Sequence, residues 1–269
     1  MILDDLVEAT KKRIEKEKLE ISPEEMKAKA IALYEKEKSG DTDSFPFEKA
    51  LRGDEISFIC EVKKASPSKG VIAEAFPYLE IAKEYEAAGA NAISVLTETD
   101  YFLGNINYLR EIKESGIQIP LLRKDFTIDE YMIYQAKVYG ASAILLICAI
   151  LSENTLKEFL KIADSIGLSA IVEAHDEKEV EMAKRCGARI IGVNNRNLKD
   201  FKVDVNNSIS LRKLIPEESK ILFVAESGIK GSEDIKKLKD EKVDAVLIGE
   251  TLMRASNKKA MLDELKGKA

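Results

Sequence analysis

The segment between residues 59 and 70 reads Ile59-Cys60-Glu61-Val62-Lys63-Lys64-Ala65-Ser66-Pro67-Ser68-Lys69-Gly70. It begins as an apolar strand pattern and ends in charges and a loop. A β-strand has a side-chain period of two, so Glu61 and Lys63 point to the same face. Opposite charges that leave a buried strand side by side are costly unless a ligand or a partner group uses them. The segment therefore predicts the rim of an active site.

Similar apolar runs recur along the chain and alternate with helical patterns. Eight runs lie at positions 57–62, 92–96, 120–122, 143–148, 170–172, 189–193, 221–224 and 245–248. Helical patterns lie between them, at positions 79–88, 106–115, 129–139, 153–166, 177–185 and 232–239. Glycines that suit the left-handed end of a helix precede several strands: Gly89, Gly116, Gly140, Gly167 and Gly187. Such wholly apolar runs are typical of parallel strands buried on both faces.

These eight strand-and-helix units predict an α/β fold, a closed (β/α)8 TIM barrel. An open doubly wound sheet is the alternative, but it usually carries a Gly-rich dinucleotide loop after its first strand, and this sequence has none there. Residues 1–269 are expected to form one barrel domain, with residues 1–48 as an N-terminal helical extension. In that extension, Ser22 before Pro23 predicts a helix start, and residues 39–43 predict a polar loop.

The composition argues against several classes of protein. The 269 residues are 45% hydrophobic, and 42 basic against 48 acidic residues give a formal net charge of −6. This balance argues against nucleic-acid binding but allows a local cluster that binds an anion. Three cysteines without Cys-x-x-Cys spacing argue against a disulfide framework or a zinc site. The sequence carries no signal-peptide pattern and no bilayer-length apolar run, so we expect a cytoplasmic protein without membrane contact.

Charged and amide side chains gather at the predicted C-terminal ends of the strands, where barrels of this type place their catalytic residues. The ends carry Glu61 and Lys63; Arg123, Lys124, Asp125 and Phe126; Glu173 and His175; Asn194, Asn195 and Arg196; Glu226, Ser227 and Gly228; and Gly249 and Glu250. A single charged residue at a strand end is usually solvated. Several such ends in one barrel predict a functional site that holds carboxylates and cations in one mouth.

The last two strand ends also predict an anion site. Ser227-Gly228-Ile229 and Gly249-Glu250-Thr251 each lead into a helical pattern. Backbone N–H groups at a helix start can hold a phosphate, and glycine lets the main chain approach it closely. We therefore expect a phosphate group of the ligand at these two turns.

Other polar residues are expected to stay outside the site. His175, the only histidine, is expected to face solvent at the start of a helix. No serine stands in an obvious nucleophile turn that could use it as a base, and no ligand spacing predicts a metal site. Lys11-Lys12-Arg13 and Lys236-Lys237 are expected on exposed helix faces.

Six segments resemble the indole-3-glycerol phosphate synthase family of tryptophan biosynthesis, along nearly the whole chain. They are Glu61-Val62-Lys63-Lys64-Ala65-Ser66-Pro67-Ser68-Lys69-Gly70, Ala92-Ile93-Ser94-Val95-Leu96-Thr97, Leu122-Arg123-Lys124-Asp125-Phe126, Asn194-Asn195-Arg196-Asn197-Leu198, Ala225-Glu226-Ser227-Gly228-Ile229 and Leu247-Ile248-Gly249. The first segment is highly specific. The resemblance implies that 1-(2-carboxyphenylamino)-1-deoxyribulose 5-phosphate closes to indole-3-glycerol phosphate with loss of CO2 and water, with no cofactor and no metal.

The resemblance also implies roles for individual residues. Lys124 resembles the general acid, Glu173 the general base and Glu61 a second catalytic carboxylate. Lys63 resembles a lysine that pairs with an anionic group of the substrate and shares the acid work. The implied substrate-binding residues are Ser66, Phe126, Leu145, Asn194, Arg196, Glu226, Ser227, Gly228, Gly249 and Glu250. The implied ligand is a small phosphorylated molecule, and we expect a monomer with other tryptophan-pathway enzymes as candidate partners.

Three places depart from the family pattern. Ala73 and Ala75 stand where members often carry arginine and aspartate, Asn105 replaces a common serine, and Glu250 replaces the serine of some members. The two alanines remove the charges with which the loop after the first strand could contact the substrate, but none of the departures affects the residues implied in catalysis.

Two other functions remain open on the sequence. Phosphoribosylanthranilate isomerase, a related barrel enzyme, would need a cysteine and an aspartate as an acid–base pair, whereas Cys60 is expected to point away from the face of Glu61. A non-catalytic binder of a phosphate ligand would not need a general acid with two carboxylates, and this chain carries all three groups.

Overall fold

A computed structural model describes residues 2–40, 45–197 and 202–268. Three helices precede the barrel: α1 (Ile2–Glu20), α2 (Pro23–Ser39) and α3 (Pro46–Leu51). Helix α2 begins as predicted, because the Ser22 side chain accepts a hydrogen bond from the backbone N–H of Glu25 and Pro23 takes the first helical position. Residues 41–43 of the predicted polar loop lie outside the described residues.

Eight parallel strands close into a barrel, which confirms the predicted fold class. They are β1 (Ser57–Val62), β2 (Ala92–Leu96), β3 (Leu121–Lys124), β4 (Ala143–Ile147), β5 (Ser169–Ala174), β6 (Ile190–Asn194), β7 (Leu222–Glu226) and β8 (Ala245–Ile248). Each strand pairs with the next one along the chain, and β8 pairs with β1, with Ser57 opposite Ala245. The open doubly wound sheet is therefore excluded.

Helices surround the strands, and the six whose positions the sequence predicted end close to those positions. They are α4 (Tyr78–Ala87), α5 (Ile106–Glu114), α6 (Glu130–Val138), α7 (Glu153–Ser165), α8 (Glu177–Cys186), α9 (Asn206–Arg212), α10 (Ser232–Asp240), α11 (Glu250–Arg254) and α12 (Lys258–Leu265). Five of them begin at side chains that accept a hydrogen bond from the first turn of the helix: Asn105, Asp129, Ser152, Asp176 and Asn257. None of the described helices combines the length and apolar character that crossing a bilayer requires.

Strands β3, β5 and β7 each continue two residues beyond their predicted ends. The polar residues there still take part in the sheet, with Leu96 opposite Lys124 and Glu173 opposite Gly192. The backbone hydrogen bonds of a strand do not depend on whether the side chain is apolar, so the sequence pattern ends before the strand does. Lys124, Glu173 and Glu226 are consequently held on strands rather than on loops.

Side chains of alternate strands fill the barrel in layers, as is usual for this fold. One layer comes from the odd-numbered strands: Ile59, Leu122, Ile171 and Val224. The layer above it comes from the even-numbered strands: Ser94, Leu145, Gly192 and Leu247. The next layer comes again from the odd-numbered strands: Glu61, Lys124, Glu173 and Glu226. The interior is therefore mostly apolar up to the layer at the C-terminal ends, which is wholly ionisable.

The N-terminal helices close both ends of the barrel. At the bottom, Phe47 and Leu51 of α3 are buried against the lowest apolar layers. At the top, Arg13 Nη2 of α1 donates hydrogen bonds to both carboxylate oxygens of Asp125, each at 2.8 Å. The expectation that Arg13 is exposed is therefore wrong, since its side chain is only 12% exposed, whereas Lys11 and Lys12 do face solvent.

Candidate active site

A cavity of about 600 Å³ opens at the C-terminal ends of the barrel strands. All four predicted catalytic residues line it: Glu61, Lys63, Lys124 and Glu173. The ten predicted substrate-binding residues line it as well: Ser66, Phe126, Leu145, Asn194, Arg196, Glu226, Ser227, Gly228, Gly249 and Glu250. The structure thus brings the separated strand ends of the sequence into one pocket.

Lys124 stands between two carboxylates on the cavity floor. Its Nζ donates hydrogen bonds to Glu173 Oε2 at 3.0 Å and to Glu226 Oε2 at 2.8 Å. Burial disfavours the charge of Lys124, but Glu173, Glu226 and Glu61 outweigh burial and hold its pKa above the usual range. Lys124 is therefore a charged ammonium at neutral pH.

Glu173 and Glu226 are both buried beside the same ammonium, yet their pKa values move in opposite directions. Burial raises the pKa of Glu226 to about 7, with Glu173 and Glu61 adding to this and Lys124 opposing it. Burial acts on Glu173 in the same sense, but Lys124 and His175 outweigh it, and the pKa of Glu173 is lowered. The floor thus holds an ionised carboxylate next to one that gains or loses a proton near neutral pH.

A glycine makes room for Glu226. A Cβ on Gly192 of β6 would collide with the Glu226 carboxylate and with the side chain of Ile171. Within the described residues, Glu226 Oε1 is buried and has no hydrogen-bond partner. Sequence analysis did not single out Gly192, because its role depends on a side chain 34 positions later in the chain.

Glu61 and Lys63 lie on one face of the strand end, as their spacing predicts. Glu61 Oε2 and Lys63 Nζ are 2.5 Å apart, and both side chains are largely buried. A Cβ on Gly249 would collide with both of them, so a glycine after β8 is required for this pair. Ser66 follows in a short antiparallel pairing of Ala65–Ser66 with Gly70–Val71, which holds the loop after β1.

The residue after Lys124 is the centre of a buried polar cluster. Asp125 accepts hydrogen bonds from Arg13, from the Thr97 hydroxyl and from Arg123 Nη2 at 3.3 Å. Burial would raise the pKa of Asp125, but Arg13 and Arg123 outweigh it, so its pKa is lowered. The cluster fixes the backbone between Lys124 and Phe126, so that α1 is tied to the strand that carries the ammonium.

One side of the cavity is apolar. Phe102 and Phe126 lie with ring centroids 6.2 Å apart, and Leu3 and Leu6 of α1 also line the cavity. The sequence analysis missed Phe102 and both leucines as site residues. Glu98 holds the loop of Phe102 by accepting hydrogen bonds from three successive backbone N–H groups.

The opposite side of the cavity carries the two glycine turns and several cations. Ser227 and Gly228 both have positive φ, at 68° and 83°, and Asn195 Nδ2 donates to the Ser227 carbonyl at 3.1 Å. Asn194 accepts a hydrogen bond from the Arg196 backbone N–H at 3.0 Å. Four cationic side chains line this part of the cavity: Lys69, Arg196, Lys230 and Arg254. The arrangement can attract an anion.

Glu250 lies among these cations. Its Oε1 is 3.2 Å from Arg254 Nε and 3.6 Å from Lys69 Nζ. Burial would raise the pKa of Glu250, but Arg254 and Lys69 outweigh it and the pKa is lowered. Glu250 therefore neutralises part of the positive charge on this side.

The other residues that depart from the family pattern lie outside the described lining of the cavity. Asn105 caps α5 by accepting a hydrogen bond from Asn107 N at 2.9 Å, as a serine there could do. Ala73 and Ala75 lie in the loop after β1 and are not among the described residues that line the cavity. Cys60 is buried in the core outside the barrel, and burial raises the pKa of its thiol to about 12.

The expectation that His175 faces solvent is wrong. Its side chain is only 17% exposed, its Nε2 lies 3.4 Å from Glu173 Oε1, and its Nδ1 lies 3.2 Å from Glu179 Oε2. Asp176 caps α8, and Glu179 in the first turn of that helix accepts a hydrogen bond from the His175 backbone N–H at 2.7 Å. No group of three or more histidine, cysteine or acidic side chains suited to a metal ion occurs within residues 2–40, 45–197 and 202–268.

Comparison with known structures supports the fold. A 3-hexulose-6-phosphate synthase from Salmonella typhimurium superposes with a TM-score of 0.64 at 15% identity, covering 79% of this chain and 97% of that one. A thiamine phosphate pyrophosphorylase from Pyrococcus furiosus gives a TM-score of 0.57 at 16% identity, covering 81% of this chain and 96% of that one. At these identities the likeness concerns the barrel alone.

Comparison of sequences is more specific. The family model for indole-3-glycerol phosphate synthase matches residues 3–265. The chain is 55% identical over 269 residues to the indole-3-glycerol phosphate synthase of Ruminiclostridium cellulolyticum, with all of both chains covered. It is 56% identical over 266 residues to that of Endomicrobium trichonymphae, covering 99% of this chain and 100% of the other. The chain therefore belongs to the indole-3-glycerol phosphate synthase family.

Proposed function

We propose that this chain converts 1-(2-carboxyphenylamino)-1-deoxyribulose 5-phosphate to indole-3-glycerol phosphate, CO2 and water, without cofactor or metal. The observation that carries the proposal is the contact of Lys124 with Glu173 and Glu226 on the floor of a cavity that is apolar on one side and cationic on the other. Membership in the family indicates which reaction to propose, and the cavity contains groups of the kind that each step of this reaction requires.

Ring closure is the first step. The aromatic carbon that bears the carboxylate attacks the ketone carbon of the ribulose chain, and the carbonyl oxygen must take up a proton as the new C–C bond forms. Lys124 acts as the general acid, because its ammonium is buried and reaches two carboxylates that can return a proton to it. Phe102 and Phe126 hold the aromatic ring on the apolar side of the cavity.

Loss of CO2 restores the aromatic ring. The leaving carboxylate is oriented by Lys63, which also shares the acid work and is itself held by Glu61 at 2.5 Å. The electron pair of the broken C–C bond returns to the ring, so this step needs no base. Apolar surroundings favour it because they exclude water from the carboxylate.

Dehydration completes the reaction. The hydroxyl formed from the ketone leaves as water after protonation, and a base removes a proton from the carbon next to the ring nitrogen. Glu173, whose pKa is lowered through Lys124 and His175, acts as the base. Glu61 assists the later proton transfers. Burial raises the pKa of Glu226 to about 7, so Glu226 both contacts the substrate and acts as a second proton carrier.

The phosphate is bound on the cationic side, far from the aromatic ring. The backbone of Ser227, Gly228 and Gly249 lines this side, with Arg196 and Asn194 beside it. Ser66 contributes from the loop after β1, and Leu145 supports the floor between the two sides. Glu250 remains paired with Arg254 and Lys69, so that its charge is partly neutralised when the phosphate binds.

A time course of indole-product fluorescence tests the proposed reaction, with purified protein, the carboxyphenylamino-deoxyribulose phosphate and a chelator but no nucleotide. Product formation is expected, and Glu173→Gln should abolish it. Binding without product would favour the non-catalytic binder. Turnover of phosphoribosylanthranilate instead would favour the isomerase, an outcome opposed by Cys60, which faces away from the cavity.

The organisation of the protein is part of the same proposal. We expect residues 1–269 to unfold as one domain with residues 1–48 as its helical extension, and the enzyme to act as a monomer in the cytoplasm beside other tryptophan-pathway enzymes. Light scattering during size-exclusion chromatography tests the oligomeric state, and a dimer mass would contradict it. Coincident denaturation curves from fluorescence and circular dichroism test the single domain.

A further inference from the structure

A buried histidine lies directly behind the proposed general base. His175 follows Glu173 by two residues and lies just beyond the end of β5. The His175 Nε2 is 3.4 Å from Glu173 Oε1, the oxygen that Lys124 does not contact. Among the described residues, His175 is not part of the cavity lining, so it does not reach a bound substrate.

A second carboxylate holds the imidazole in place from the far side. Glu179 Oε2 accepts a hydrogen bond from the backbone N–H of His175 at 2.7 Å and lies 3.2 Å from its Nδ1. The carbonyl of His175 accepts a hydrogen bond from Asn207 Nδ2 at 3.2 Å. Backbone and ring are therefore fixed together. The second ring nitrogen, Nε2, is buried at ion-pair distance from Glu173 and has no hydrogen-bond partner among the described residues.

We propose that His175 is a positioning residue whose imidazolium, held by Glu179, keeps Glu173 ionised, so that the proton shared on the cavity floor resides on Glu226. The inference rests on the proposed role of Glu173 as the base. An imidazole ring presents an N–H group to a carboxylate on each side only when both of its nitrogens are protonated. A neutral ring would leave one of its two carboxylates facing a lone pair.

The charges around the ring favour this protonation state. Three carboxylates act on the charge of His175: Glu173 from β5, Glu179 from α8 and Glu226 from β7. Burial disfavours the imidazolium, but the hydrogen bond to Glu179 and the charges of Glu173 and Glu226 outweigh it, so the pKa of His175 is raised. The thiol of Cys148, which packs against Glu179, is neutral because burial raises its pKa to about 12.

The proposal accounts for the unequal titration of the two buried carboxylates. Glu173 and Glu226 contact the same ammonium, so Lys124 alone does not distinguish them. Of the two, Glu173 has a second cation at ion-pair distance, whereas Glu226 Oε1 has no hydrogen-bond partner among the described residues. This asymmetry places the negative charge on the carboxylate that must act as the base.

The test is the pH dependence of kcat/KM in His175→Gln, which keeps a polar side chain but removes the cation. The acid limb should move to higher pH, because Glu173 then ionises less readily, so kcat/KM on the acid side should fall about tenfold while the optimum changes less than about threefold. Glu179→Gln should shift the limb in the same direction by a smaller amount. Glu177→Gln, which removes an exposed charge from the same helix, is the matched control and should leave the profile unchanged.

Each result separates the inference from the function on which it rests. An unmoved acid limb in His175→Gln, with Glu173→Gln inactive, would overturn the role of His175 and leave the proposed function standing. Activity in Glu173→Gln would overturn both. The acid limb of the pH profile reports the coupled titration of Glu173, Glu226 and His175. Its position is therefore compared between variants and is not assigned to a single residue. A purely structural role for His175 would lower kcat equally at all pH values and lower the melting temperature, without moving the limb.

Discussion

Arg13 in the first helix and Asp125 just after β3 form an ion pair across 112 residues of sequence, in which Arg13 Nη2 contacts both carboxylate oxygens. Asp125 directly follows Lys124. The Asp125 side chain is fully buried, and Arg13 Nη1 also donates to the Thr97 carbonyl at 3.3 Å. The helical extension is thereby joined to the strand that bears the proposed general acid. It also supplies Leu3 and Leu6 to the cavity.

Arg13→Ala should therefore lower both stability and substrate affinity. Removing one partner leaves the buried Asp125 charge without its strongest ion pair, which costs about 3 kcal/mol of unfolding free energy. KM should rise because α1 loses its anchor beside the cavity. Urea denaturation and steady-state kinetics measure the two effects. Lys12→Ala, at the exposed neighbouring position, is the control, and an equal loss of stability there would contradict the account.

Gly192→Ala should impair catalysis without touching an ionisable residue. The added methyl group would collide with the Glu226 carboxylate and Ile171, so Glu226 must move away from Lys124. We expect kcat to fall at least about tenfold and the unfolding free energy to fall by about 1–3 kcal/mol, as in other overpacked cores. Gly231→Ala is a suitable control because a Cβ there meets nothing within 4 Å. Parental kcat in Gly192→Ala would show that Glu226 need not occupy this position.

Glu226→Gln should change how stability depends on pH. Because burial raises the pKa of Glu226 to about 7, the folded state binds a proton where an unfolded glutamate is ionised. The contribution of Glu226 to the free energy of unfolding is thus complete below the pKa of an unfolded glutamate, about 4.3. It is lost as the pH rises toward about 7. The variant should gain stability relative to the parent between pH 5 and pH 8.

Urea midpoints of parent and variant at the two pH values measure this difference. Glu218→Gln, at an exposed position, should follow the parent at both. A parent-to-variant difference that stays constant from pH 5 to pH 8 would contradict the raised pKa. The variant should also lose activity, since residues that serve catalysis are often held at a cost in stability.

Much of the site could be predicted because the barrel converts sequence order into geometry. The period of two places Glu61 beside Lys63, and the common C-terminal end of parallel strands brings Lys124 and Glu173 to them. These relationships need only the local pattern and the fold class. The predicted ends of β3, β5 and β7 fell two residues short, because the pattern follows side chains whereas the strand follows backbone hydrogen bonds.

The residues that sequence analysis missed depend on partners distant in the chain. Arg13 belongs to a run of three basic residues, a pattern typical of an exposed helix face, and its burial depends on the contact with Asp125. His175 follows a strand end like any loop residue and is turned inward by Glu179. Gly192 matters because Glu226 lies against it. Arg13 does stand beside the buried stripe of Leu6, Thr10 and Ile14 in α1, which was the available signal.

The decisive variant is Lys124→Ala, studied in a single-turnover experiment with enzyme in excess over the carboxyphenylamino-deoxyribulose phosphate. We expect the rate of product formation to fall by about 10²–10⁴-fold while substrate binding remains detectable by calorimetry. Lys63→Ala should mainly raise KM, and Lys161→Ala, at an exposed helix position, should match the parent. An unchanged single-turnover rate in Lys124→Ala would contradict the assignment of Lys124 as the general acid.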